Sequence, residues 1–184
     1  MMTRSALSLL PAALLTLGAS TPLAADGPRQ LDAHRHGTGT LNIAIDGETV
    51  LMEFEAPGAD LVGFEYAPRT EAEHDAVAAA RAALATPLTL FVLPEAAGCV
   101  LADASVEGED EAAHDDHDDD HAEHSDFGAA YTLTCADPAA LDTISFAYFE
   151  AFPNAEEVEV QVISDTGATA YEVTREAPDL VLGR

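Results

Sequence analysis

Apolar and polar residues alternate along Thr40 to Ile45 and Val50 to Glu55, on either side of Asp46-Gly47. A period of two interrupted by a glycine-bearing turn predicts a β-hairpin. The pattern returns at Val158 to Ile163 and Thr169 to Val173 around Asp165-Thr166-Gly167, a second hairpin. Between them, Ala56 to Pro68 reads as an ordered loop carrying Leu61-Val62-Gly63-Phe64-Glu65-Tyr66. Thr70 with Glu73 forms a capping box that opens an alanine-rich helix ending near Pro87. Val77, Arg81 and Leu84 share a face of that helix, and Ala78 and Ala80 add small packing surfaces. Apolar runs predict strands at Leu88 to Leu93, Val100 to Val106 and Ala129 to Cys135. Asp137-Pro138 reads as a helical turn, and Ile144 to Phe149 as an apolar strand running towards the Phe152-Pro153-Asn154 turn. No internal repeat or second domain is visible. The sum is an α+β fold, a mostly antiparallel β-sheet or sandwich with one main helix.

The pattern fails from Glu107 to Asp126, where eleven carboxylates and four histidines crowd into twenty residues. No cation and no large apolar side chain interrupts this tract, so it cannot help to build a core. It is expected to be a long disordered His/Asp-rich loop inserted between two strands. Histidine-rich tracts point to metal binding. Imidazole suits zinc, copper and nickel, and carboxylates can complete the shell. His114, His117, His121 and His124 follow a three, four, three spacing, which would align them on one face if the segment turned helical. They suffice for one tetrahedral zinc, or for two weaker sites completed by Asp115, Asp119, Asp120 or Glu123. The surrounding carboxylates favour imidazolium, so binding should weaken as pH falls towards and below about 6.5. Calcium fits poorly, because it takes oxygen ligands. The bland alternative is a solvated acidic spacer.

The rest of the chain narrows the setting. Residues 1–25 have the charged start, short apolar run and Leu23-Ala24-Ala25 cleavage pattern of a secretory signal peptide. The apolar run is too short to anchor the chain in a membrane. Residues 26–184 would then be one domain carrying the 107–126 insert. The net charge is −27 and there is no lysine, which disfavours nucleic acid and anionic lipid as partners and attracts cations. Adaptation to a salty habitat would explain general acidity but not clustered histidines. Cys99 and Cys135, the only cysteines, are expected to pair in an oxidising compartment. Their ring would enclose the acidic tract and hold both of its roots, stabilising the fold by roughly 3–4 kcal/mol.

A second histidine cluster, His34-Arg35-His36-Gly37, opens the chain beyond the leader. In an extended segment His34 and His36 point to one side and can chelate together, although an exposed surface pair is the competing reading. His74 reads as a solvent-facing helix residue. Glu65 stands open between ligand, buried hydrogen-bonding carboxylate and exposed group. The sequence contains no helix zinc signature, nucleophile elbow or phosphate loop, and a floppy loop positions groups poorly for catalysis. A non-enzymatic protein is expected.

Taken in order, these residues resemble the ZrgA-like family of bacterial zinc-uptake proteins. The resemblance is carried by His34-Arg35-His36-Gly37, by Ala56-Pro57 with Leu61-Val62-Gly63-Phe64-Glu65, and by the Cys99 strand. It continues through the His/Asp loop with His124-Ser125-Asp126-Phe127, then Tyr131-Thr132-Leu133-Thr134-Cys135, Phe149-Glu150-Ala151-Phe152-Pro153 and the closing hairpin. It implies a periplasmic zinc binder that assists zinc acquisition beside a zinc importer, with His34, His36 and the loop as ligand sources. Relatives often have histidine after the Gly-Phe-Glu, where this chain has Tyr66, so a fixed site drawing on that position loses a donor, or Glu65 or another residue compensates. The competing functions are a copper or nickel buffer or resistance protein, and an interaction domain whose acidic loop merely solubilises it.

Overall fold

The computed structural model describes residues 35–107 and 126–183. Nine strands are assigned there: β1 (Thr38–Asp46), β2 (Thr49–Pro57), β3 (Phe91–Val92), β4 (Cys99–Glu107), β5 (Asp126–Cys135), β6 (Thr143–Phe146), β7 (Glu157–Ser164), β8 (Gly167–Thr174) and β9 (Asp179–Val181). The helices are α1 (Gly58–Leu61), α2 (Glu71–Leu84), α3 (Pro87–Leu90) and α4 (Tyr148–Ala151). Six strands form one sheet in the order β4-β5-β2-β1-β7-β8, and β3-β6-β9 form a smaller one. All pairings are antiparallel except β1 with β7. The expected mostly antiparallel α+β fold with one main helix is therefore what forms; the loop proposed for 107–126 lies, but for its two ends, outside the described residues.

Alternation builds the two layers. In β2, Val50, Met52, Phe54 and Ala56 are buried while Thr49, Leu51, Glu53 and Glu55 are exposed. The buried face meets Val77, Ala80 and Leu84 of α2 and an aromatic group from the second layer in one core. Phe54 lies at the join, 5.5 Å from the Phe91 ring and 5.1 Å from that of Tyr148. Each such buried aromatic stabilises the fold by roughly 1.5–3 kcal/mol relative to exposure. The Thr70–Glu73 capping box forms as read from the sequence. Ala78, expected to pack, is exposed instead, and the buried stripe is Val77, Ala80 and Leu84.

Two apolar runs are not the strands expected. Leu88 to Leu93 begins as the helical turn α3, leaving only Phe91–Val92 extended. Pro87 supplies the fixed φ of a first helical position, and the Thr89 hydroxyl donates to the Thr86 carbonyl at 2.8 Å to close the turn. Ile144 to Phe149 is extended only as far as Phe146. The chain then turns helical, so that Tyr148 and Phe149, adjacent in sequence, are both buried. β9 was not anticipated; it is three residues long and follows Pro178.

Cys99 and Cys135 form a disulfide, as expected, and lie opposite one another in the β4–β5 ladder. Its place corrects the expectation that it clamps the roots of the acidic segment. The bond sits at the start of β4 and the end of β5, whereas the roots pair at the other end, Glu107 opposite Gly128. At about 3.3 Å per residue the two lie roughly 25 Å apart. The roots are held by the strand ladder itself.

Candidate metal-binding end of the sheet

One end of the large sheet gathers the chemistry. β1 begins there, Thr38 opposite Glu157 of β7. β2 ends there, Pro57 opposite Asp126 of β5, and β4 ends one strand further on. The N-terminal histidine segment and both roots of the acidic segment therefore leave the sheet from the same end. Two strand spacings, about 10 Å, separate β1 from β5.

Gly37 fixes how the chain enters β1. Its φ is +85°, a conformation that L side chains rarely adopt, and a Cβ there would come within 3.3 Å of the Glu156 side chain. Its N–H donates to Asp60 Oδ1 at 2.7 Å. Its carbonyl accepts from the backbone N–H groups of Glu156 and Glu157, both at 2.8 Å. With donor and acceptor both engaged, the path of the preceding residue, His36, is constrained.

His36 is exposed, and its Nε2 lies 3.1 Å from Glu65 Oε1, whose side chain is only 16% exposed. Glu65 is delivered by the loop after α1. That helical turn stops at Gly63 (φ +86°), whose N–H donates to the carbonyls of Gly58 and Ala59. Asn154 Nδ2 donates to the Ala59 carbonyl at 3.1 Å, tying the loop to the turn before β7. Asp60, which accepts the Gly37 N–H, is buried in α1. Burial raises its carboxyl above the ordinary value, opposed by the Gly37 N–H and His36 and reinforced by Glu65 and Glu156. Arg35, on the other side, lies 3.9 Å from Glu159 in an exposed contact.

Tyr66 points to a different task from the histidine expected at its position. Its hydroxyl donates to Glu73 Oε1 at 2.9 Å, and its ring stacks on Phe64 with the Arg69 guanidinium 4.5 Å from its centroid. Glu73 also accepts from the N–H groups of Arg69 and Thr70, both at 2.8 Å, and these bonds hold its carboxyl down to about 2. Tyr66 therefore secures the start of α2, and Glu65 is the donor this loop presents to His36.

An imidazole nitrogen beside a half-buried carboxylate suits a borderline cation such as zinc. The pair can chelate an ion directly, or Nε2–H can donate to Glu65 while Nδ1 faces the ion, the usual support of a metal-bound histidine. Either way the two groups would make only part of a shell. Among the described residues no group of three or more His, Cys, Asp or Glu is arranged to hold a metal. Of the sequence candidates, His36 is placed here, and His74 is exposed on α2. His34, His114, His117, His121, His124, Asp115, Asp119, Asp120 and Glu123 lie outside the described residues. Asp60 and Glu156 were missed by the sequence reading. The available signal was a lone carboxylate inside the apolar run Gly58-Ala59-Asp60-Leu61-Val62.

No helix among the described residues is long and apolar enough to cross a membrane. No curated protein matches the chain. The family model described as ZrgA family zinc uptake protein matches residues 33–182, from just before His34 to the last strand. That span covers most of the 184 residues and contains every element of the fold, so the chain belongs to the ZrgA zinc uptake family and its role lies in zinc acquisition.

Proposed function

We propose that the protein is an exported, non-catalytic periplasmic zinc carrier that captures Zn²⁺ with its His/Asp-rich segment and its N-terminal histidines, and hands it to a zinc importer. In this reading residues 1–25 are removed as a signal peptide. His36, steadied by Glu65, is the fixed element of the site, and His34 joins it. His114, His117, His121 and His124 supply further imidazoles, with Asp115, Asp119, Asp120 and Glu123 as exchangeable oxygen ligands. The observation that carries the reading is the common end of the sheet. The roots of the acidic segment emerge about 10 Å and 14 Å from the line of β1, and at about 3.5 Å per residue roughly four residues bridge that distance.

The mechanism follows from charge and ligand chemistry. A strongly negative surface raises the local concentration of cations. Weak, exchanging imidazole and carboxylate ligands then collect the ion without trapping it, and a fixed histidine–carboxylate pair sets the place from which it leaves. Metal must displace protons from imidazole, so capture weakens in acid.

Zinc calorimetry on the metal-free chain, beside a variant lacking residues 109–123, tests the proposal. The variant should lose most of the bound ions while keeping one weaker, His36-dependent equivalent. Equal binding by both proteins would remove the segment from the mechanism. No binding by either would end the zinc reading for these residues.

A further inference from the structure

Asp60 is the one buried charged side chain among the described residues, 2% exposed. Oδ1 takes the Gly37 N–H, but Oδ2 is buried with no hydrogen-bond partner. An unsatisfied buried acceptor is costly, and a charged one more so. An asparagine would serve Gly37 as well without a buried charge, whereas an apolar residue would leave the Gly37 N–H unpaired. What only aspartate adds is negative charge. That carboxylate accepts the N–H of Gly37, the residue after His36, and the charges of His36, Glu65 and Glu156 act on it.

We propose that Asp60 is the positioning residue of the His36–Glu65 zinc site: through the Gly37 amide it sets the direction of His36, and its buried carboxylate, one oxygen of which has no hydrogen-bond partner, helps to hold the cation at that pair. The inference rests on the zinc reading given above. The ion makes no contact with Asp60 in this scheme; it offsets a buried carboxylate whose Oδ2 has no hydrogen-bond partner. Zinc binding and the stability of the β1 entrance are thereby coupled, because a ligand that binds the folded and not the unfolded chain raises stability in proportion to the logarithm of one plus the ratio of its free concentration to Kd.

The Asp60→Asn variant separates charge from position, since it keeps an oxygen for the Gly37 N–H. The metal-free full chain would be melted with and without zinc, and the His36 imidazole resonances followed by NMR as zinc alone is added. The expected result is a metal-free melting temperature equal to or above that of the parent, with zinc affinity read at His36 down tenfold or more, the usual penalty for losing a supporting group. Asp60→Ala should lose both affinity and stability. Asp60→Asn with parental affinity at His36 would overturn the proposal. So would a fall in affinity matched by an equal fall in metal-free stability, which would make Asp60 a fold residue alone. The His36→Ala control tells the two readings apart. If it binds zinc like the parent, the site itself fails and Asp60 with it. If it loses zinc while Asp60→Asn does not, only the role of Asp60 falls.

Discussion

The two ends of the large sheet solve opposite problems. At one end β1 turns into β2, β7 into β8, and the disulfide ties β4 to β5, so that every strand is closed by a short turn or a covalent bond. At the other, chain segments leave the sheet from β1, β4 and β5, and His36, Glu65, Asp60 and Glu156 collect around Gly37. The same strands thus carry stability at the closed end and ionisable chemistry at the open one. A rigid sheet between them lets the open end hold costly groups, such as a buried unpaired carboxylate oxygen, without loss of the fold.

Replacing both cysteines with serine should produce the largest effect. It should lower unfolding free energy by about 3–4 kcal/mol in a urea titration, while zinc affinity at His36 stays unchanged. A matching loss of zinc binding would erase the division between the ends. His36→Ala should do the reverse, lowering affinity at the fixed site at least tenfold, about 1.4 kcal/mol, with metal-free stability altered by less than about 0.5 kcal/mol. Thr70→Ala removes the cap of α2 and should cost about 1 kcal/mol of stability in the same urea assay without touching zinc binding. The smallest effect concerns acid. Glu73 has a folded carboxyl near 2 against an ordinary value of 4.5. Its contribution is present in full above the ordinary value and is lost as pH falls through about 2. Glu73→Gln should flatten the acid limb of stability against pH in that window, and thermal melts between pH 2 and 5 would reveal it.

Much of the stable end was legible in the sequence because its signals are local. Asp46-Gly47 between alternating strands, Asp165-Thr166-Gly167 between another pair, and Thr70 with Glu73 each specify geometry within a few residues. The runs at Leu88 to Leu93 and Ile144 to Phe149 were misread because an apolar run fits a buried turn as well as a strand; Thr86-Pro87 was the overlooked helix start. The parallel pairing of β1 with β7 leaves no local trace, as alternation suits either direction. The open end was only half legible. His36 announced itself by its cluster, but Glu65 is brought to it by the α1 turn and Gly63, and Asp60 by a contact with Gly37 twenty-three residues earlier. The disulfide pairing followed from composition, whereas its distance from the loop roots depended on the register of β4 against β5.

The most direct test of the account follows backbone amide resonances of the metal-free protein as zinc is added. The first equivalent should shift Arg35 to Thr38, Glu65 and Glu156 at the open end, and leave Asp46 to Thr49 and Ser164 to Gly167 at the closed end unmoved. Shifts that bypass His36 and its neighbours altogether would contradict the claim that this end of the sheet is where the protein holds its zinc.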